Sequence, residues 1–366
     1  MGAGESRDTI AAGNEGTGPV REAHRFDAQR LADFMRQNVD EGIRTVEVEQ
    51  FKGGQSNPTF LVRANGKRYV MRRKPPGKLL PSAHAVDREY RVITALAKTD
   101  VPVAKSYALC QDDSVIGTAF YIMDYVQGRI LWDPRLPDTP REQRRPIFEE
   151  MNRVIGALHN VDYKAIGLAE YGKSGSYFAR QIDRWTKQYR AAETEKIEAM
   201  DNLIEWLPKH IPADDQTRIV HGDYRLDNVI FHPTEPRILA VLDWELSTLG
   251  HPLADFAYHC MTWRFVTGPT TRGLAGSDLA DLNIPNEREY VDMYLRRVGR
   301  TTLPEKEWEY YMAFNMFRLV GIVQGIMARA LQGNASSANA LEAGKRAGVI
   351  AAVAWQQVER MLARGN

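Results

Sequence analysis

The sequence predicts an α+β protein of two lobes: a small antiparallel β lobe with one inserted helix, then a larger and mainly helical lobe. Three observations carry that expectation. Apolar alternation with turn chemistry crowds into residues 45–125, helical periodicity dominates from residue 126 onward, and one short hairpin pattern at 229–242 interrupts the helices. A chain of 366 residues also exceeds what one core usually accommodates.

Residues 1–25 read as a disordered leader, rich in Gly, Ala and Glu and without the apolar stretch of a signal peptide. Residues 26–125 form the first lobe and 126–366 the second. Phe26, Leu31, Phe34 and Met35 recur at helical spacing. Val46, Val48 and Phe51 then lead into Gly53-Gly54-Gln55-Ser56-Asn57, and Thr59–Val62 follows as an apolar run. Asn65-Gly66 between two such runs predicts a tight hairpin, whose second strand, Arg68–Arg73, stops at Pro75-Pro76. Ser82 is placed to cap a helix bearing Val86, Glu89, Tyr90, Ile93 and Leu96. Strands at 106–110 and 119–125, separated by Asp112-Asp113-Ser114, complete the lobe. Helices are expected at 144–160, 177–192, 197–209, 253–264, 287–298, 305–331 and 342–364, with loops at 134–140 and 266–281.

Bulk composition narrows the function. Lys+Arg is 48 against Asp+Glu 47, a net charge of +1, which argues against a nucleic-acid binder. Cys110 and Cys260 lie far apart with no zinc-ligand spacing. No stretch reads as the roughly 18 uncharged apolar residues of a membrane span, so a cytoplasmic protein with no membrane partner is expected.

The chemistry concentrates at the hairpin. In His221-Gly222-Asp223-Tyr224-Arg225-Leu226-Asp227-Asn228, an Asp is followed five positions later by an Asn, the spacing of the kinase catalytic loop. One carboxylate can take the proton of an attacking hydroxyl while a carboxamide oxygen of the same loop holds Mg²⁺. Asp243, fifteen positions after Asn228 and at the end of the hairpin's second strand, can return as a second magnesium ligand. The competing possibility is that these are turn residues and a strand-end cap. On the strand where protein kinases carry a phosphate-binding Lys, this chain carries Arg72, and Glu89 on the next helix is its expected partner. Strand alternation sends Arg72 and Arg73 to opposite faces, and the sequence alone does not say which faces the phosphates.

With His221-Gly-Asp223, Asn228 and Asp243-Trp-Glu245 in place, the chain resembles the aminoglycoside/choline phosphotransferase family, a branch of the protein-kinase-like fold. Tyr69–Gly77, Arg88–Arg91 and Leu249–Asp255 resemble more closely the kinase-like domain of long acyl-CoA dehydrogenases and its free-standing bacterial relatives. The resemblance runs from about residue 26 to the end, and no dehydrogenase domain is expected within the 366 residues. It implies ATP and Mg²⁺ as cofactors and a functional link to an acyl-CoA dehydrogenase. It also implies that Gly53, Gly54, Ser56 and Asn57 cover the ATP phosphates, and that backbone groups of Asp124 and Val126 meet adenine. Gly53-Gly54 by itself is as readily a tight turn. His221 and Asp255 are expected to support the catalytic loop. Tyr258, Trp263 and Arg264 are placed to contact the acceptor, although such positions also serve as ordinary helix core or surface.

The acceptor is expected to be a small-molecule hydroxyl. A 4-hydroxyacyl-CoA or hydroxy acid follows from the closer resemblance. An aminoglycoside or amino-alcohol would want a carboxylate-lined site, and a nucleotide-binding pseudokinase would bind ATP without turnover.

Overall fold

The first sheet grows from one tight turn. Asn65 (φ +49°) and Gly66 (φ +71°) both adopt the left-handed conformation that a two-residue hairpin demands, joining β3 (Thr59–Ala64) to β4 (Lys67–Arg73). Around this pair the order is β1-β2-β3-β4-β6-β5, all antiparallel, with β1 Thr17–Gly18, β2 Glu47–Phe51, β5 Ser106–Cys110 and β6 Phe120–Asp124. Helix α1 (Ala28–Asn38) is capped by the Asp27 carboxylate and lays Leu31, Ala32 and Met35 on Phe60, Val62, Met71, Phe120 and Ile122. Helix α2 (Val86–Leu96) carries Glu89. A short helix, α3 (Asp113–Ile116), occupies the turn expected between the last two strands.

The computed structural model describes residues 16–52, 57–76, 85–268, 271–333 and 340–364. Gly53, Gly54, Ser56 and the candidate cap Ser82 therefore lie outside the described residues. Within the stretch expected to be disordered through residue 25, residues 16–25 are described. Thr17–Gly18 pair with Phe51 and Gln50, and the Arg21 N–H donates to the Gln50 side chain, so backbone hydrogen bonding orders the segment despite its polar composition.

Two compact units divide the chain: Met1–Trp132, Ile166–Leu168 and Asp227–Leu246 in one, Asp133–Ala165, Ala169–Leu226 and Ser247–Asn366 in the other. The hairpin β8 (Val229–Phe231) with β9 (Ile238–Val241) groups with the first unit. Backbone bonds explain this. Arg129 and Phe231 exchange hydrogen bonds at 2.9 Å in both directions, and the Val241 N–H donates to the Pro102 carbonyl. A Cβ on Gly128 would sit 2.2 Å from the Phe231 oxygen, so only glycine admits that pairing.

The second unit is mainly helical: α4 Arg141–Asn160, α5 Tyr177–Ala191, α6 Glu198–Trp206, α7 Pro252–Cys260, α8 Leu279–Leu282, α9 Glu287–Arg297, α10 Glu305–Leu331, α11 Ala340–Gly344 and α12 Arg346–Arg364. A small ladder of β7 (Arg218–Val220) with β10 (Thr248–Gly250), unforeseen in the sequence, brackets the catalytic-loop motif. Helix α10 is long and apolar enough to cross a membrane by length and composition, contrary to the expectation that no stretch comes near. However, 67% of its apolar window is buried, and it packs on α5, α7, α11 and α12. Its apolarity is accounted for by a core position.

Candidate active site

In the first unit the site is built on β4, α2 and the hairpin. Arg72 leaves β4 on the face toward α2. Its Nε lies 2.8 Å from Glu89 Oε2, a close ion pair rather than a well-aligned hydrogen bond. Glu89 is 1% exposed and is locked from two further sides: Asn57 Nδ2 donates to Oε1 at 2.8 Å, and the Tyr121 hydroxyl donates to Oε2 at 3.1 Å. Burial pushes the Glu89 carboxyl up, and Arg72, Tyr121 and Asn57 oppose that shift. Arg72 Nη2 also reaches Asp243 Oδ1 at 2.6 Å and Glu245 Oε2 at 3.4 Å. Burial works against the guanidinium charge, but Glu89 and Asp243, with lesser help from Tyr121 and Glu245, outweigh it and raise its pKa. Arg73 points the other way. Its Nε donates to Thr118 Oγ1, its Nη1 to the His24 carbonyl, and its guanidinium lies 5.3 Å from the Phe26 ring. Of the two, Arg72 is therefore the arginine that faces Glu89 and Asp243.

The hairpin brings Asn228 beside Asp243. The Leu242 N–H donates to the Asn228 carbonyl at 2.8 Å, one step beyond the Val229–Val241 pair. Asp243 has φ +60°, a left-handed conformation that short polar side chains tolerate best and that turns the chain sharply off β9. Trp244 anchors the bend, buried, with Nε1 donating to the Val241 carbonyl.

At the end of β6, the Asp124 N–H donates to the Lys105 carbonyl at 2.8 Å, and its carboxylate accepts from the Tyr107 hydroxyl. The Asp124 N–H, one of the backbone groups expected to meet adenine, is thus engaged within the sheet. Among the described residues no hydrogen bond engages the Val126 N–H.

In the second unit one helix face holds the catalytic loop. Asp255, on the first turn of α7, accepts from the His221 N–H at 2.7 Å through Oδ2 and from the Gly222 N–H at 2.8 Å through Oδ1. Oδ2 also meets His159 Nε2 at 3.2 Å. Burial opposes the Asp255 charge, yet His159 and His221, the latter also through its N–H, hold its pKa below the usual carboxylate range. Gly222 has φ +85°, so the loop needs glycine there. The His221 ring is buried, and its Nδ1 accepts from the Asp223 N–H at 3.2 Å. Three residues on from Asp255 along α7, the Tyr258 hydroxyl donates to Asp223 Oδ1 at 2.6 Å. Arg225 Nε lies 3.0 Å from the same oxygen. Arg318 donates from Nη2 to the Gly222 carbonyl at 2.8 Å and lies 5.1 Å from the Tyr258 ring.

Trp263 and Arg264 are committed elsewhere, against the expectation that they meet the acceptor. Helix α7 ends at Cys260 and a 3₁₀ turn, Met261–Trp263, follows, which breaks the periodicity that would carry them along the Tyr258 face. Trp263 Nε1 donates to the Pro285 carbonyl. Arg264 forks onto Glu287 at 2.6 Å through both Nε and Nη2 and reaches Glu309 at 2.8 Å. Arg318 is not singled out by the sequence reading, and Glu245 enters it only as part of the Asp243-Trp-Glu245 motif. A signal existed for Arg318, the lone charge between Tyr311 and Ala328.

Comparison with known proteins agrees with this geometry. A family model described as phosphotransferase enzyme family matches residues 47–293. Acyl-CoA dehydrogenase family member 10 of Mus musculus is 46% identical over 341 residues, covering 93% of this chain and 32% of that protein. Acyl-CoA dehydrogenase family member 11 of Homo sapiens is 40% identical over 335 residues, covering 89% and 42%. The chain thus spans roughly a third to two fifths of these relatives. A crystal structure of an aminoglycoside phosphotransferase-like protein from Ralstonia eutropha JMP134 has 58% identity and a TM-score of 0.85, covering 92% of this chain and 99% of that one. The fold is shared with aminoglycoside phosphotransferase APH(4)-Ia bound to ADP and hygromycin B, at 15% identity and TM-score 0.59, covering 89% and 98%. The chain belongs to the phosphotransferase enzyme family and is an ATP-dependent small-molecule kinase with a protein-kinase-like α+β fold.

Proposed function

We propose that this kinase phosphorylates the hydroxyl of an anionic acyl compound, a 4-hydroxyacyl-CoA or the matching hydroxy acid, with Asp223 as the base. The observation that carries the acceptor class is the charge around Asp223. Arg225 pairs with its carboxylate, Arg318 lies over Tyr258, and Arg318 and Arg184 each lie 5.8 Å from the Trp185 ring. Arginines suit carboxylates and phosphates, whereas a polycationic aminoglycoside would be repelled. The acyl-CoA dehydrogenase names of two relatives point the same way.

In the proposed reaction Asp223 accepts the acceptor hydroxyl proton as its oxygen attacks the γ-phosphorus, and ADP leaves with the bridging oxygen. Arg72, oriented by Glu89, binds phosphate oxygens. Gly53, Gly54, Ser56 and Asn57 are assigned to the phosphates by resemblance, and the Asp124 carbonyl with the Val126 N–H to adenine. The Asn57 side chain donates to Glu89 and its carbonyl accepts from the Thr59 hydroxyl. The surroundings suit a divalent cation: Arg72 lies within 3.4 Å of three carboxylates, Glu89, Asp243 and Glu245. Asn228 and Asp243 would hold Mg²⁺, which when bound supplies charge neutralisation on the phosphates.

The test is γ-phosphate transfer by the purified chain with Mg²⁺ to a panel of six-carbon 4-hydroxyacyl-CoA, the free hydroxy acid, kanamycin and choline. Transfer confined to the anionic compounds and lost in Asp223→Asn is expected, with a fall of about a hundredfold or more in kcat and ADP affinity retained. Transfer to kanamycin or choline would refute the acceptor class. ATP binding without transfer to any compound would mark a pseudokinase.

A further inference from the structure

Tyr258, expected from the sequence to contact the acceptor, donates its hydroxyl to Asp223. We propose that Tyr258 is the positioning residue for Asp223, fixing the carboxylate's orientation so that it can meet the acceptor hydroxyl. The proposal rests on the assignment of Asp223 as base.

Helix α7 presents Asp255 and Tyr258 on one face, since residues three apart are neighbours there. Asp255 fixes the loop backbone through the N–H groups of His221 and Gly222, and Tyr258 fixes the Asp223 side chain, all within the second unit. One helix thus sets both the position of the loop and the rotamer of its carboxylate. At 2.6 Å the Tyr258 bond has the length of a charge-assisted O–H···O⁻ bond. The phenol itself is braced. Arg318 lies over its ring and is tied to the Gly222 carbonyl, so ring and loop share one support. Burial and the Asp223 charge both raise the Tyr258 pKa, so the hydroxyl stays a donor at neutral pH and does not compete for the acceptor's proton. Arg225 touches the same carboxylate oxygen but is half exposed, and such pairs impose little order. The buried network at Tyr258 is the stiffer constraint.

This geometry separates a positioning residue from an acceptor contact. Losing the hydroxyl in Tyr258→Phe should lower kcat roughly ten- to hundredfold, the size of one charge-assisted hydrogen bond. KM for ATP, KM for the 4-hydroxyacyl-CoA and the ADP dissociation constant should each stay within about twofold. Crystals of the ligand-free full chain should show one Asp223 conformer in the wild type and several in Tyr258→Phe. A raised acceptor KM at unchanged kcat would make Tyr258 a substrate contact and overturn the proposal. So would an Asp223 carboxylate that keeps its orientation in the variant crystal. Full activity in Asp223→Asn would instead sink the assignment of the base, and the crystal comparison would still decide what Tyr258 does to the carboxylate.

Discussion

Asp255→Asn is the substitution whose cost can be worked out most directly. The native carboxylate uses both oxygens on backbone donors, Oδ2 on His221 and Oδ1 on Gly222, and shares Oδ2 with His159. A carboxamide of the same shape has only one oxygen, and its NH₂ must face an N–H or the histidine. One buried donor is orphaned, at about 1–3 kcal/mol. The bonds that remain change from charged to neutral acceptors, each losing about 1 kcal/mol. The sum is about 3–5 kcal/mol, on the order of 10 °C in melting temperature for a unit of this size. Urea unfolding monitored by tryptophan fluorescence provides the measurement. The native Asp255 pKa is depressed, so its contribution is present above the unfolded value near 3.9 and is lost as pH falls through the lower folded pKa. The variant should therefore show a flatter stability profile below about pH 4. A loss under about 1 kcal/mol would refute the reasoning, because the loop would then have another anchor.

Two further outcomes follow from buried groups. Arg264→Ala leaves Glu287 and Glu309 facing each other without their shared cation and should cost about 3 kcal/mol in urea unfolding, with acceptor KM unchanged; a tenfold rise in that KM would restore the acceptor-contact expectation. Burial pushes His251 down to about 4, and neither of its ring nitrogens makes a hydrogen bond. The unfolded chain takes up the proton first, so stability is fullest above pH 6.5 and falls by up to about 3 kcal/mol toward pH 4. His251→Phe, stacking on Phe178 and Tyr311, should reduce that slope by about one proton; an unchanged slope would show that His251 is not its source.

The parts of the fold legible in the sequence were those encoded locally. Asn65-Gly66 needs only its own φ angles, and the spacing from Asp223 to Asn228 to Asp243 is set by one loop and one hairpin. What escaped was set by partners distant in the chain. Strands β1 and β10 have two and three residues, too few to show a period, and exist because Phe51 and Val220 offer them edges. Arg72 and Arg73 are equivalent in the sequence. They separate once Glu89 and Asp243 lie on one side and Thr118 and the His24 carbonyl on the other. Trp263 and Arg264 looked like neighbours of Tyr258 because a continuous helix was expected through residue 264, whereas α7 stops at Cys260.

The two units carry opposite local charge, and that asymmetry constrains what each can bind. Among the described residues Arg72 lies within 3.4 Å of three carboxylates, Glu89, Asp243 and Glu245, while Arg225 and Arg318 lie beside Asp223 and Tyr258. A whole-chain charge of +1 hides both. The negative cluster would repel bare phosphate and favours an anion that arrives with its own divalent cation. The arginines would disfavour a polycation at the base and favour an acceptor bearing carboxylate or phosphate. Reversing the second cluster with Arg225→Glu should therefore lower the affinity for an anionic acceptor and leave that for ADP unchanged. Equal losses in both would mean that Arg225 acts on the fold of the loop and not on the choice of acceptor.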